Sequence, residues 1–558
     1  MYGRVYSGMP SGIDAIIISV ETDISPGLPG MSMVGYLASS VKEASERVRT
    51  AFGNNGIVLP SRRITINLYP ADIRKDGTVY DLAIAVSILI SLGRFGAVTE
   101  LEDTLVLGEL SLDGEVHQVT GVLPVVHFAA MNGFKNVILP LDNMREASFT
   151  PGIRIIGVGS LKDAVDAVDM LINGGFPINT KDNAANKDII NEDSKRKDGI
   201  DTGSNNSGKY EGTEDVYMVN EGFPEKVFFR YREQIKSSEN DLSNIIGQDY
   251  MKKGLLIAAA GMHHILLTGV AGAGKSMTAK CLPGILPELT WDERIELTKI
   301  YSVAGLLKNN DGLLNERPFR APHSSVTEAA MIGGGISPRP GEVSLAHRGV
   351  LFLDEFPEFK RNVIESLRQP MEDKVVTISR QRAGFTYPSG FMLVAARNNC
   401  PCGAFPDRNI CHCRENDIYK YRERISHPIM DRIDICIEVR AVEREKLLNP
   451  KRGMSSEEAS AIIAVARDRQ QKRFKNESFT FNSDIPRNRI YEFIKPEAKV
   501  EKCLINVMKE QNMSARAFFK LLVLSRTVAD INDHDEIDEE DLMEAVFFRN
   551  SDREGAGI

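Results

Sequence analysis

The chain has 558 residues, 42% hydrophobic and 26% charged, with a formal charge of −9 and seven cysteines, and its length predicts three or four separate cores. No apolar run is long enough to cross a bilayer and no secretory leader pattern opens the chain, while an odd cysteine count with four clustered fits a reducing compartment, so a cytoplasmic protein without a membrane partner is expected. The acidic balance excludes a uniform coat on nucleic acid but permits a local basic groove.

Residues 1–172 alternate strand-like runs, such as Arg63-Ile64-Thr65-Ile66-Asn67-Leu68, with helix-like ones at 81–92 and 122–132, which predicts a compact α/β domain. From 173 to 240 the chain turns to Asn, Asp, Lys, Gly and Ser with few large hydrophobes. Such a segment cannot offset its ordering entropy, so a disordered linker is expected. Residues 241–440 return to alternating strands and helices. Residues 441–558 carry apolar positions three and four apart (SEEASAIIAVARDRQQ, SARAFFKLLVLSRTVADI), predicting a helical domain. It ends on a short helix headed by Asp538-Glu539-Glu540-Asp541, whose charges suit a helix N-terminus.

Within 241–440, Gly269 to Ser276 (GVAGAGKS) fits the phosphate-loop pattern G-x-x-x-x-G-K-[ST]. The apolar strand Ile265-Leu266-Leu267 precedes it, and a helix is expected from Met277 onward. Gly269, Gly272 and Gly274 allow the backbone to wrap with its N–H groups on phosphate oxygens, and the helix N-terminus adds its dipole. Lys275 is placed for the β/γ-phosphates and Ser276 for Mg²⁺. Further on, Val350-Leu351-Phe352-Leu353 is a fully apolar strand ending in Asp354 and Glu355, at the end where parallel sheets bind ligands. Asp354 then belongs to the Mg²⁺ shell and Glu355 orients the attacking water. Each motif alone has a bland alternative, a glycine-rich turn or a buried strand with acidic ends. Together and in this order they predict hydrolysis of a nucleoside triphosphate, ATP.

Residues 374–388 (KVVTISRQRAGFTYP) read as a β-hairpin turning near Gly384, with Arg380 and Arg382 close to its tip. Cys400, Cys402, Cys411 and Cys413 form C-x-C-x₈-C-x-C. This is either a structural Zn²⁺ knuckle or two turns with reduced, unliganded thiols; a single residue between paired ligands is less usual than two.

The strings DLSNIIGQDYMKKGLLIAAAG, RPFRAPHSS, GGGISPRPGEVSLAHRGVLFLDE, LRQPMED, CPCG, MDRID and SARA resemble the YifB/ComM family of magnesium-chelatase-like AAA+ ATPases. The resemblance implies that Ile246-Gly247-Gln248 lies against the adenine. It makes Asn398 the first sensor, Arg432 an arginine finger acting on a neighbouring subunit, and Arg516 the second sensor in a helical lid. Both arginines offer bidentate charge to phosphate oxygens; the alternative for each is a local surface ion pair. Arg397 and Asn399 stand where the family usually has Met and Pro, His427 replaces a common Gly, and Ser324 a frequent His. The adjacent asparagines leave the sensor open between Asn398 and Asn399.

The same resemblance implies a homo-hexameric ring, with DNA as partner and Arg380 and Arg382 on a pore hairpin facing phosphates. Arg317, Arg320, His323 and Arg339 mark a second, mobile basic loop, or else a plain Gly/Pro-rich surface loop. The N-terminal strings MVGYLASSVKEASERVRTAF, RITINLYPADIRKDGTVYDLAIA and LGELSLDGEVHQVTGVLP resemble a ChlI-type domain with the Lon-protease fold. Val79 and Leu123 stand at the positions of the Lon Ser–Lys dyad, and neither side chain attacks or abstracts a proton. The leading expectation is thus a DNA helicase or branch-migration motor in recombination or DNA uptake. A chelatase-type motor subunit remodelling a metal-insertion partner, and an ATP-switched assembly scaffold, are the alternatives.

Overall fold

A computed structural model describes residues 1–173, 217–219, 240–307, 312–335, 338–380, 383–440, 453–511 and 513–554. The chain divides into two compact units, Met1–Pro10 with Asp14–Phe223, and Ser11–Ile13 with Pro224–Ile558.

The N-terminal unit is built on one eight-stranded mixed sheet. Its order is Tyr217–Val219, Arg154–Val158, Asn136–Pro140, Glu100–Val106, Tyr2–Ser11, Asp14–Ser25, Arg63–Tyr69, Gly30–Val34. The expected strand at Arg63 and the helices Asp81–Ser91 and Val122–Met131 are present. Every residue of Asp81–Ser91 is buried, as its nearly unbroken apolar run requires. Its one acid, Asp81, is held by the guanidinium of Arg47 at 2.7 Å and 2.9 Å. Most of the 173–240 segment lies outside the described residues. Tyr217–Val219, within it, adds an antiparallel edge strand to Arg154–Val158, because Tyr-Met-Val is a short island of strand formers in a polar run.

The second unit centres on a five-stranded parallel sheet in the order Phe319–Arg320, Val350–Leu353, Met392–Arg397, Ile265–Gly269, Ile435–Val439. Both faces are covered, so the strands are apolar without alternation. Period-two geometry sends Ile265, Leu267, Val350, Phe352, Met392 and Val394 into one core and Leu266, Leu351, Leu353, Leu393 and Ala395 into the other. The first core also takes Leu521, Leu524 and Val528 of the C-terminal helix Ala515–Ile531, so the helical region packs on that face. Ser456–Arg473 opens with a reciprocal capping box between Ser455 and Glu458.

Two local expectations change. The hairpin is present as Val375–Arg380 paired with Ala383–Pro388, but Gly384 sits inside the second strand opposite Ser379 rather than in the turn. Residues 381–382, Arg382 among them, lie outside the described residues, and Arg380 ends the first strand. The acidic-headed final helix is long, Glu539–Glu554, because Leu542, Ala545, Val546 and Phe548 give it a buried stripe that sustains four turns. Among the described residues no helix is long and apolar enough to cross a membrane.

Candidate functional site

The phosphate loop leaves the strand Ile265–Gly269 and enters the helix Lys275–Ile285, which starts two residues earlier than expected. Gly272 and Gly274 adopt φ of 78° and 93°, the left-handed turns that let amides converge. Gly269 has a different role: a Cβ there would lie 2.2 Å from the carbonyl oxygen of Val439 on the neighbouring strand. Close approach of backbones, not wrapping, is what requires that glycine.

Lys275 is folded inward. Its Nζ donates to the carbonyls of Gly269 (2.9 Å) and Val270 (2.8 Å) and to Asn398 Oδ1 (2.9 Å). Burial pushes its pKa down, with Asp354 and Glu355 opposing. Ser276 Oγ donates to Asp354 Oδ2 at 2.6 Å. Cis ligands of an octahedral Mg²⁺ stand about 2.9 Å apart, so these two hard oxygens fit that ion's donor set. Asp354 Oδ1 in turn accepts the Glu355 N–H at 2.9 Å. Glu355 is an exposed non-glycine residue at φ 49°, a conformation that turns its side chain out of line with the strand.

The two asparagines part company. Asn398 faces Lys275, whereas Asn399 is buried and its Nδ2 donates to the carbonyl of Phe405 at 3.1 Å. Gly247 and Gln248 both have positive φ, 64° and 63°, and Gln248 Nε2 donates to the Arg440 carbonyl at 2.7 Å. Lys275, Ser276, Asp354 and Asn398 thus meet where three adjacent parallel strands end.

Arg432 and Arg516 are elsewhere. Both pair with the carboxylate of Glu372, Arg432 also donates to the Pro428 carbonyl at 2.8 Å, and Arg487 stands 3.6 Å from Glu372. One carboxylate therefore faces three guanidinium groups. Burial works to raise the Glu372 pKa, but Arg516 and Arg432 outweigh it and hold it low. Glu372 carried no role in the sequence reading; the only signal was its place in LRQPMED.

Next to this patch, buried Asp434 joins three elements. It accepts from Lys520 Nζ at 2.5 Å, on the helix that carries Arg516, and from the His264 N–H at 3.0 Å, at the start of the phosphate-loop strand. Burial pushes its carboxyl up, yet Lys520 with His263 and His264 holds it well below the usual carboxylate range. Asp434→Asn is expected to cost about 3 kcal/mol, the lower end for breaking a buried pair, seen as a lower urea midpoint. Because the folded pKa is depressed, that difference from wild type persists at neutral pH and shrinks only as acid protonates Asp434.

The 317–341 segment corrects the expectation of a free basic loop. Arg317 is buried, bonded to the Arg348 carbonyl at 2.6 Å and to Glu293 at 3.2 Å, and Arg320 is forked onto Glu342 at 2.7 Å and 2.8 Å. Acids at 293 and 342, distant in sequence, claim both charges. In the N-terminal unit Val79 packs among apolar side chains and Leu123 is fully buried, so no nucleophile stands there.

The sulfurs of Cys400, Cys402, Cys411 and Cys413 all lie within 4.8 Å of one another. Cys400 and Cys411 are buried, Cys402 is exposed, and none of the four is in a disulfide.

A phosphate loop, an acid-tipped apolar strand and a helical C-terminal region on a parallel sheet define an AAA+ ATPase. Three family descriptions match: "Subunit ChlI of Mg-chelatase" over 20–143, "Magnesium chelatase, subunit ChlI" over 241–447, and "Magnesium chelatase, subunit ChlI C-terminal" over 453–549. The chain is 35% identical over 553 residues to the uncharacterized protein YifB of Escherichia coli, covering 98% of this chain and 97% of YifB. Competence protein ComM of Haemophilus influenzae matches over the same extent at 35% identity, again 98% of this chain and 97% of ComM. A 144-residue stretch is 28% identical to part of the Lon protease of Methanosphaera stadtmanae, covering 24% of this chain and 17% of that protein. The chain belongs to the YifB/ComM family of magnesium-chelatase-like AAA+ ATPases, with a Lon-like N-terminal region.

Proposed function

We propose that this protein is an ATP-driven, ring-forming DNA motor, a helicase or branch-migration factor acting in recombination or uptake of DNA. The observation that carries the ring is the split of the site. The phosphate-binding half gathers at Lys275, Ser276, Asp354 and Asn398, while Arg432 and Arg516 stand apart on Glu372 with more positive charge than that carboxylate balances. Such a patch is completed by an anion from a neighbour, and a heterologous contact repeated around an axis closes a ring, here a homo-hexamer.

In this reading Gly247 and Gln248 border the base, and Gly272 and Gly274 shape the loop that begins at Gly269. Lys275 holds the β/γ-phosphates, and Ser276 with Asp354 would hold Mg²⁺, which would supply charge neutralisation. Glu355 orients the water, Asn398 positions it against the γ-phosphate, and the neighbour's arginines meet the charge that develops. The chain is organised as a Lon-like domain without a protease dyad (1–172), a linker (173–240), the core (241–440) and the lid (441–558). Cys400, Cys402, Cys411 and Cys413 hold a structural Zn²⁺.

DNA as the substrate is supported by the hairpin of Val375–Arg380 and Ala383–Pro388, inserted just before the strand Met392–Arg397 that leads to Asn398, with Arg380 closing its first strand and Arg382 two residues on in the sequence, and by the likeness to a competence protein. Steady-state ATP turnover measured with single-stranded, duplex and branched DNA at several salt concentrations tests it, since phosphate contacts weaken with salt. Stimulation by DNA and strand displacement on the branched substrate are expected. Replacing Arg380 and Arg382 together by Ala should remove the stimulation and leave basal hydrolysis. Turnover indifferent to every DNA would overturn the reading in favour of a motor that remodels a protein partner.

A further inference from the structure

Immediately after the strand that delivers Asn398, the chain makes the loop Cys400–Cys413. Its sulfur separations are 3.3 Å for Cys400–Cys402 and 3.6 Å for both Cys400–Cys411 and Cys402–Cys411. A disulfide requires about 2.05 Å, whereas the edge of a tetrahedron with Zn–S bonds of about 2.3 Å is about 3.8 Å. The sulfurs sit close to the second arrangement. The Phe405 N–H donates to Cys400 Sγ at 3.4 Å, the kind of amide that steadies a metal-bound thiolate. The loop has almost no core of its own: Cys400, Cys411 and Ile418 are its buried cluster, with Ala404, Phe405 and Cys413 around them. A loop this poor in apolar contacts gains its order from a cross-link or a metal.

The same loop touches the phosphate loop. The carbonyl of Gly403 accepts the N–H of Ala271 at 2.9 Å. Gly403 adopts φ 80°, and a Cβ on it would stand 2.8 Å from the Cβ of Ala271. Ala271 lies between Gly269 and Gly272, in the backbone whose amides must be set before phosphate arrives. Asn399, next to Asn398, is tied to the loop through Phe405. The knuckle therefore braces both edges of the triphosphate site from outside it.

We propose that Zn²⁺ on Cys400, Cys402, Cys411 and Cys413 fixes the conformation of the phosphate loop through Gly403 and Ala271, so that metal occupancy sets the affinity for ATP. This rests on the zinc and nucleotide readings above and adds regulation to them. The full chain is expected to hold one equivalent of zinc by elemental analysis, and Co²⁺ in its place to give thiolate-to-metal charge-transfer absorption. Removing the metal with a chelator should weaken binding of a fluorescent ATP analogue about tenfold, the scale of one lost backbone hydrogen bond, and added Zn²⁺ should restore it. Gly403→Ala keeps all four sulfurs; it should retain zinc and still bind the analogue about tenfold more weakly.

Absence of both zinc and the cobalt band overturns the metal site and the brace with it. Zinc present, with affinity unchanged both on chelation and in Gly403→Ala, overturns the brace alone. Where chelation unfolds the chain, the metal-loaded Gly403→Ala decides.

Discussion

Glu355→Gln is expected to lower ATP turnover about 10²–10⁴-fold while leaving ATP bound, the range for loss of a positioned acid–base group. The exchange is nearly isosteric, and it leaves the backbone at φ 49° and the Asp354 bond to the 355 amide in place. Lys275 and Ser276 keep their contacts, so the triphosphate has the same cradle. What changes is that an amide cannot polarise water as a carboxylate does. Phosphate release in steady state, set beside equilibrium binding of an ATP analogue, reads the two effects separately. Lys275→Ala is the contrast, because it removes the charge on the phosphates and should lose binding itself. Turnover by Glu355→Gln near the wild-type rate would remove Glu355 from the reaction.

The parts of this site legible in the sequence are those fixed by local geometry. Glycines at 272 and 274, a lysine and serine at the head of a helix, and an apolar strand tipped by Asp354 are each dictated within a few residues, so pattern and structure coincide there. The parallel sheet followed from strands apolar on both faces, and the helical region from its three- and four-residue spacing.

What stayed hidden is set by chain segments far apart in sequence. Gly269 looked like a wrapping glycine, but its need arises from Val439, 170 residues away. Arg317 and Arg320 looked like free charges until Glu293 and Glu342 folded against them. That Asn398 faces Lys275 while Asn399 turns to the Phe405 carbonyl is not visible in two identical letters. Gly384 attracted the turn by composition, whereas the register pairing Val375 with Pro388 places that glycine within the second strand, opposite Ser379.

Glu372 holds Arg432 and Arg516 together within the chain, while Lys520 and Asp434 lock the helix of Arg516 to the segment of Arg432. The two arginines are therefore tied into one body. In the ring proposed above, a neighbour's γ-phosphate would compete with this single carboxylate for both, and by carrying more charge than Glu372 it would couple ATP in one subunit to the arginines of the next.

Arg432→Ala is accordingly expected to lower turnover about 10³-fold or more, the effect of an absent arginine finger, with ATP binding to its own phosphate loop kept. Mixing makes the argument decisive. Lys275→Ala subunits lose their own loop but still present Arg432, and Arg432→Ala subunits present an intact loop without the finger. Each preparation alone should be nearly inert. In randomly mixed rings at equal amounts, about a quarter of junctions join an intact loop to an intact finger, and activity should return toward that fraction of wild type. Recovery depends on the arginine crossing the junction. If Arg432 served the loop of its own subunit, or only the local pair with Glu372, the mixture would stay as inactive as its components.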